Sequence, residues 1–339
     1  MFMDALEPRY LLAFLVGSQL NVVGGGGNDN IKVSQQDAAT IRVEQNGAVS
    51  FFADASVSSV LINGNAGNDT LQMITTLALP LTEPGTINGG DGNDSMLGGA
   101  GSDKLNGGAG NDTMNGGDGN DSMDGSTGAN NMSGGNGNDA MTASTGKDIF
   151  SGGAGTDSVS YSTRTASLNI SLNGIANDGQ TLFVLGIPFP ENDNVQESVE
   201  NVTTGSGNDV ITAGAGLINN TFNGGSGNDR LDARAGNDTC NGGNGNDTAI
   251  GGAGNDLLRG DANDDVLIGS SGNDNLQGGT GNDVLNGGLG SDLLSGSDGN
   301  DILLLADGGV DGIANGGTGF DILDKDAGDP AGIAVELTV

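Results

Sequence analysis

Residues 89–124 read GGDGNDSML, GGAGSDKLN, GGAGNDTMN, GGDGNDSMD, four consecutive nonapeptides of one pattern. The period continues without a gap to residue 160, giving eight copies, and a second unbroken block of nine runs from 224 to 304. Single copies stand at 24–32, 64–72, 204–212 and 316–324, so that twenty-one copies are recognisable and position six is Asp in twenty of them. Self-similarity at a short fixed period is the signature of a stacked repeat architecture. Glycines at positions one, two and four permit positive φ and close approach of backbones, so the first six residues are expected to form a tight turn with inward carbonyls. The last three are then a short strand whose middle member, position eight, points inward. That position holds Ile31, Leu71, Met96, Leu105, Met114, Val159, Leu231, Leu258, Leu267, Leu276, Leu285, Leu294 and Leu303. One nonapeptide reverses the chain once, so two close a coil of eighteen residues and each turn stacks on the turn two repeats later.

Composition sets the competing expectation. The 339 residues include 66 Gly, 3% aromatics and neither His nor Trp, too little apolar bulk for one large packed core. Such chains usually stay disordered, because the burial available does not offset the entropy of ordering the backbone. With 10 Lys and Arg against 44 Asp and Glu, the formal charge of -34 argues against nucleic acid or anionic lipid and calls for a cationic partner. The single Cys240 excludes a disulfide framework within the chain and, at position eight, reads as a small buried apolar residue. No apolar run approaches the roughly twenty residues that a membrane-spanning helix needs, so no transmembrane segment is expected.

The nonapeptide resembles the RTX, or hemolysin-type, calcium-binding repeat, GGxGxDxUx, over more than half of the chain. The resemblance implies an all-β fold, a right-handed parallel β-roll in two main stacks, with calcium between stacked turns in an all-oxygen shell. It assigns the metal to the position-six carboxylates: Asp29, Asp69, Asp94, Asp103, Asp112, Asp121, Asp139, Asp148 and Asp157 in the first part of the chain. In the second part they are Asp209, Asp229, Asp238, Asp247, Asp256, Asp265, Asp274, Asp283, Asp292, Asp301 and Asp321. Asp94 is expected to face Asp112, and Asp229 to face Asp247. The two blocks would hold roughly thirteen Ca2+ ions, and such a charge makes folding without metal unfavourable. Position six of repeat 125–133 is Asn130, which is expected to keep an oxygen for the metal, lose the charge and weaken two sites.

The flanks read as follows. Residues 6–13, LEPRYLLA, resemble the LEPR-XLL motif found near the start of large extracellular proteins, which makes 1–23 an N-terminal targeting segment. Residues 24–88 are a β-element with two isolated repeats, in which 40–44, 49–52 and 59–62 are expected strands. The first roll is 89–160, and 161–203 is a connector with an expected strand at 167–172 and a turn at 177–179. The second roll is 204–304, and 305–339 caps it, its last residues, ELTV, weakly resembling the C-terminal signal of type I secretion substrates.

Without His the chain has no Ser-His-Asp triad and no HExxH zinc site, and its paired carboxylates recur in turns rather than across a cleft. The GxG strings lack the strand-then-helix context of a dinucleotide site. Met96, Met114, Met123, Met132 and Met141 all occupy position eight and read as core rather than as a soft-metal site. The expectation is therefore a non-enzymatic, secreted, extracellular or cell-surface calcium-binding rod whose further partners would be cell-surface components. The alternative is the non-catalytic carrier portion of a type I-secreted toxin or enzyme.

Overall fold

The computed structural model describes residues 12–74, 81–173, 179–180, 193–305 and 313–324. The chain divides into two compact units, 1–158 and 159–339. Among the described residues there is no α-helix, only one 3-10 turn at Asp54–Ser56, and no helix is long and apolar enough to cross a membrane. The fold is a parallel β-roll.

In the first unit, alternate strands build two opposed sheets. One runs in the order Leu12–Val16, Gln19–Val23, Ser59–Ala66, Gly85–Asp91, Lys104–Ala109, Ser122–Thr127 and Ala140–Thr142. The other runs Ala48–Ala53, Thr40–Gln45, Asn30–Asp37, Thr70–Ile74, Ser95–Ala100, Thr113–Asp118, Asn131–Asn136 and Ile149–Ala154. Register confirms the eighteen-residue coil, since Leu105 pairs with Met123 in one sheet and Met114 with Met132 in the other, both parallel. The second unit repeats the plan. Cys240 pairs with Leu258 and Leu258 with Leu276 on one side, while Leu267 pairs with Leu285 and Leu285 with Leu303 on the other.

The core is the position-eight column. Leu105, Leu258, Leu276 and Leu294 are fully buried, as is Cys240, whose thiol burial pushes well above its usual range, with nearby carboxylates adding to the effect. A narrow roll needs only one inward residue per strand and closes around it, which is why a chain so poor in aromatics still forms a core. Phe222 sits opposite Cys240 in the ladder, so a large side chain and a small one share adjacent coils.

Strands are longer than the repeat suggests. Lys104–Ala109 starts at position seven of one repeat and ends at position three of the next, leaving only positions four to six for the turn. Two glycines make this possible. Gly108, at position two, has φ +108, and Gly110, at position four, has φ +137; a Cβ on Gly110 would overlap the carbonyl of Gly92 in the coil before. Where other residues take position two they inherit the strain, as Ser126 does with φ 63 and Arg234 with φ 65.

The apparently isolated repeats near the N-terminus are coils of the same roll. Asn30–Asp37 pairs in parallel with Thr70–Ile74, which pairs in parallel with Ser95–Ala100. The hairpin strands Thr40–Gln45 and Ala48–Ala53 extend that sheet in antiparallel fashion, and correspond to the strands expected at 40–44 and 49–52. The connector strand lies at Leu168–Ser171, where alternation placed it. Most of the LEPR-XLL-like stretch, the turn at 177–179 except Gly179, and the C-terminal residues 325–339 lie outside the described residues.

Two substitutions test this backbone argument by thermal melting in calcium. Gly110→Ala should cost about 2 kcal/mol or more, through an unfavourable φ and collision with Gly92. Ser126→Gly should be neutral to stabilising by up to about 1 kcal/mol, because it removes strain at a position that requires positive φ.

Candidate metal centre

Position six follows the turn and precedes the strand, so its side chain folds back under its own turn. The twenty predicted aspartates fall into four ladders in which a backbone N–H of one coil donates to the carboxylate of the coil below. In the first unit Asp29 N–H donates to Asp69 Oδ1 (2.7 Å), Asp69 N–H to Asp94 (2.7 Å), and Asp94 N–H to Asp112 (2.8 Å). The series continues through Asn130 to Asp148. On the opposite side Asp103, Asp121, Asp139 and Asp157 are linked in the same way.

In the second unit one ladder joins Asp209, Asp229, Asp247, Asp265, Asp283, Asp301 and Asp321. The other joins Asp238, Asp256, Asp274 and Asp292. Asp94 therefore meets Asp112, and Asp229 meets Asp247, at the expected spacing.

The ladder uses only Oδ1. The second oxygen, Oδ2, of Asp69, Asp94, Asp103, Asp112, Asp121 and Asp139 is buried and accepts no hydrogen bond. The same holds for Asp229, Asp238, Asp247, Asp256, Asp265, Asp274, Asp283, Asp301 and Asp321. Buried polar atoms are almost always satisfied, so a regular column of orphaned carboxylate oxygens requires a ligand. Position one supplies the space. A Cβ built on Gly89 would overlap both Asp94 Oδ2 and the carbonyl oxygen of Gly107 in the next coil; on Gly116 it would meet Asp121 Oδ2 and Gly134 O. The same convergence of a carboxylate oxygen and a carbonyl oxygen on one point recurs at Gly64, Gly98, Gly107, Gly134, Gly224, Gly260, Gly269 and Gly296.

That donor set, oxygen only and with negative charge, suits a hard cation such as Ca2+. No group of three or more His, Cys, Asp or Glu that could hold a metal occurs among the described residues, so each cradle is a carboxylate with backbone carbonyls rather than a carboxylate cluster.

Burial dominates the electrostatics. Desolvation pushes Asp103, Asp229, Asp265 and Asp274 up to about 7, against the lowering effect of the backbone N–H each accepts and with help from neighbouring ladder carboxylates. Asp69, Asp112, Asp121, Asp238, Asp247 and Asp301 are pushed up to about 6, again mainly by burial.

Three features escaped the sequence reading. Residues 215–223 are a further repeat, with Asn220 at position six donating its N–H to Asp238 Oδ1 (2.6 Å). The two-residue insertion Ala213-Gly214 hides it by breaking the period, although Phe222 at position eight was a usable signal. Gly85, ahead of the first block, likewise occupies a position-six place and donates to Asp103 Oδ1 (2.6 Å). A second, exposed ladder runs through position five, where Asn111 N–H donates to Asn93 Oδ1 (2.7 Å) and Asn246 N–H to Asn228 Oδ1 (2.9 Å).

Asn130 departs from its expectation. Its Oδ1 is spent on Asp112 N–H (2.9 Å), and its Nδ2 lies where the orphaned Oδ2 lies in other coils, so it offers the cradle a donor instead of an oxygen.

These carboxylates set a pH dependence for the metal-free chain. Their folded pKa values lie above the unfolded value, so the stability they contribute is fully present below about pH 4 and is lost as pH rises through 6 to 7. In chelator, far-UV circular dichroism should show more β-structure at pH 5 than at pH 8; the reverse order would contradict the burial of these groups.

The profile of the RTX calcium-binding nonapeptide repeat matches residues 60–72, 86–123, 124–159, 198–216, 218–249, 241–276 and 268–303. A comparison with curated proteins finds no match. The matched segments cover more than half of the 339 residues and coincide with the stacked coils and their carboxylate cradles, and the chain belongs to the RTX calcium-binding nonapeptide repeat family.

Proposed function

We propose that this is an exported structural protein that folds on meeting extracellular calcium and then serves as a stiff, adhesive or spacing element at or beyond the cell surface. The observation that carries the reading is the column of buried, unpartnered Oδ2 atoms, which in cradles such as those of Asp94, Asp121 and Asp265 converge with a position-one carbonyl. Calcium in these cradles would supply positive charge to carboxylates that burial otherwise disfavours, and the position-six aspartates with position-one carbonyls would hold it. The number of such cradles supports roughly ten or more ions per chain. The formal charge of -34 supports the same reading, since the compact state concentrates carboxylates that repel one another until a cation enters. A low-calcium interior would keep the chain unfolded for export, and calcium outside would trap it folded. The role is structural rather than catalytic, and the rolls on either side of 161–203 act as separable calcium-loaded units.

Circular dichroism at pH 7.5 tests this. The chain should be largely disordered in chelator and β-rich in millimolar calcium, with half-saturation at about 0.1–1 mM as for other extracellular modules. Magnesium should not substitute, because it demands rigid octahedral coordination and dehydrates reluctantly. Identical spectra in chelator and calcium would sink the proposal.

A further inference from the structure

We infer that two places in the roll, the stacked turns of repeats 125–133 and 143–151 and the turn of repeat 204–212, are metal-free joints in which side-chain amide and hydroxyl groups take the place that a cation takes elsewhere. The inference rests on the calcium reading above and concerns which coils depart from it.

In regular coils such as those of Gly89, Gly107, Gly116, Gly260 and Gly269, three things coincide: glycine at position one, an unpartnered Oδ2 at position six, and a converging carbonyl from the next coil. Both places lose this combination. In repeat 125–133, the point where Gly125 would carry a Cβ falls on Asn130 Nδ2 rather than on a carboxylate oxygen. An amide N–H there repels a cation, and the same Nδ2 lies 3.4 Å from Gly128 O and from Ser144 Oγ. One coil on, repeat 143–151 has Ala143 at position one, 3% exposed; Ala233 carries the same methyl in repeat 233–241, but there the Asp238 Oδ2 is left without a partner. In repeat 143–151 the carboxylate is already satisfied, because Asp148 Oδ2 accepts from Ser144 Oγ (3.0 Å) and from Ser144 N–H (3.3 Å). The ladder itself is unbroken. Asn130 N–H still donates to Asp148 Oδ1 (2.8 Å), so the coils stack without an ion between them.

The second stretch reaches the same end by different chemistry. Repeat 204–212 has Thr204 at position one, 2% exposed, and its Oγ1 donates to the carbonyl of Gly224 (2.5 Å). Gly224 O belongs to the next coil and is the counterpart of the carbonyl that converges with Oδ2 in cradles such as those of Gly89 and Gly116. A hydroxyl proton has replaced the cation as its partner, and the side chain that carries it fills the space. Asp209 accepts Leu168 N–H at Oδ1 (2.7 Å) while its Oδ2 is buried without a hydrogen-bond partner, so this joint is made by the filled position-one space and the engaged carbonyl and not by a satisfied carboxylate.

Counting bound calcium on the full chain by native mass spectrometry at saturating calcium tests the inference. Thr204→Gly should gain one ion, and the combined variant Asn130→Asp, Ala143→Gly, Ser144→Gly should gain one or two. Thr204→Ser, which keeps the hydroxyl, should bind the same number as the unaltered chain. Variants that fold in calcium, by circular dichroism, yet show unaltered counts would overturn the joints. No bound calcium on any of these chains would overturn the calcium reading itself and the inference with it, a distinct result because the unaltered chain alone reveals it.

Discussion

A carboxylate buried with one oxygen satisfied and the other left open is the constraint on which this structure turns. Apart from Asp29, whose carboxylate is met by Gly25 N–H and Asn46 Nδ2, the position-six aspartates use Oδ1 to accept a backbone N–H from the coil above. In coils such as those of Asp94, Asp112, Asp229 and Asp247, Oδ2 is left in a buried cradle with no hydrogen-bond partner. A buried charge without compensation is among the least favourable arrangements a protein can make, and a group so placed either takes up a proton or acquires a counter-ion. Stacking these aspartates at every coil multiplies the penalty along the roll. The apolar core, one side chain per strand, is thin beside such a column, so the free energy of folding is tied to whatever cation fills it.

The repeat made the fold legible because three periodicities agree. Glycine spacing places the turns, the apolar residue at position eight places the core, and the Asp two residues before it places the buried carboxylate; Leu105, Met123 and Asp121 all stand where that logic put them. What was illegible follows from insertions and from chemistry that is not periodic in composition. The hairpin between 31 and 58 separates two coils by forty residues, so 24–32 and 64–72 read as strays although Asp29 and Asp69 are ladder neighbours. Two extra residues at 213–214 concealed the coil of Asn220 in the same way. Strand length was underestimated because glycine was taken as turn-forming, whereas Gly107 and Gly108 lie inside a strand that tolerates one residue of positive φ. The direction of the Asn130 amide could not be read from sequence at all, since it depends on which of its two ends the ladder N–H claims.

Position five adds a second ladder on the outside of the turns, interrupted at Ala129. Asn is suited to it because one side chain offers an acceptor to the N–H of the next coil and keeps a donor group facing solvent. Asp264 replaces Asn there and keeps the acceptor, receiving Asn282 N–H at 2.7 Å, whereas Ala129 can only donate. The turn is thus held from two sides, by a neutral exposed ladder at position five and a charged buried one at position six. Only the second needs a cation, and the frequent Asn-Asp pair records that division of labour.

The repeating unit that matters physically is therefore the ladder step and not the nonapeptide. A coil interrupted by a hairpin keeps its step, as Asp29 to Asp69 shows, and so does one lengthened by two residues, as Asp209 to Asp229 shows at 2.7 Å. Asn130 keeps the step with its amide oxygen, and Gly85, with no side chain, still donates its N–H to Asp103. Each change alters the cradle while leaving the backbone hydrogen bond intact, because the donor is main chain and only the acceptor varies. Calcium dependence and stacking are in this way separable within one fold. Sequence drift at positions one, two and six can tune how many cations the roll demands without changing its course, and the apolar column at position eight carries continuity through the coils that demand none.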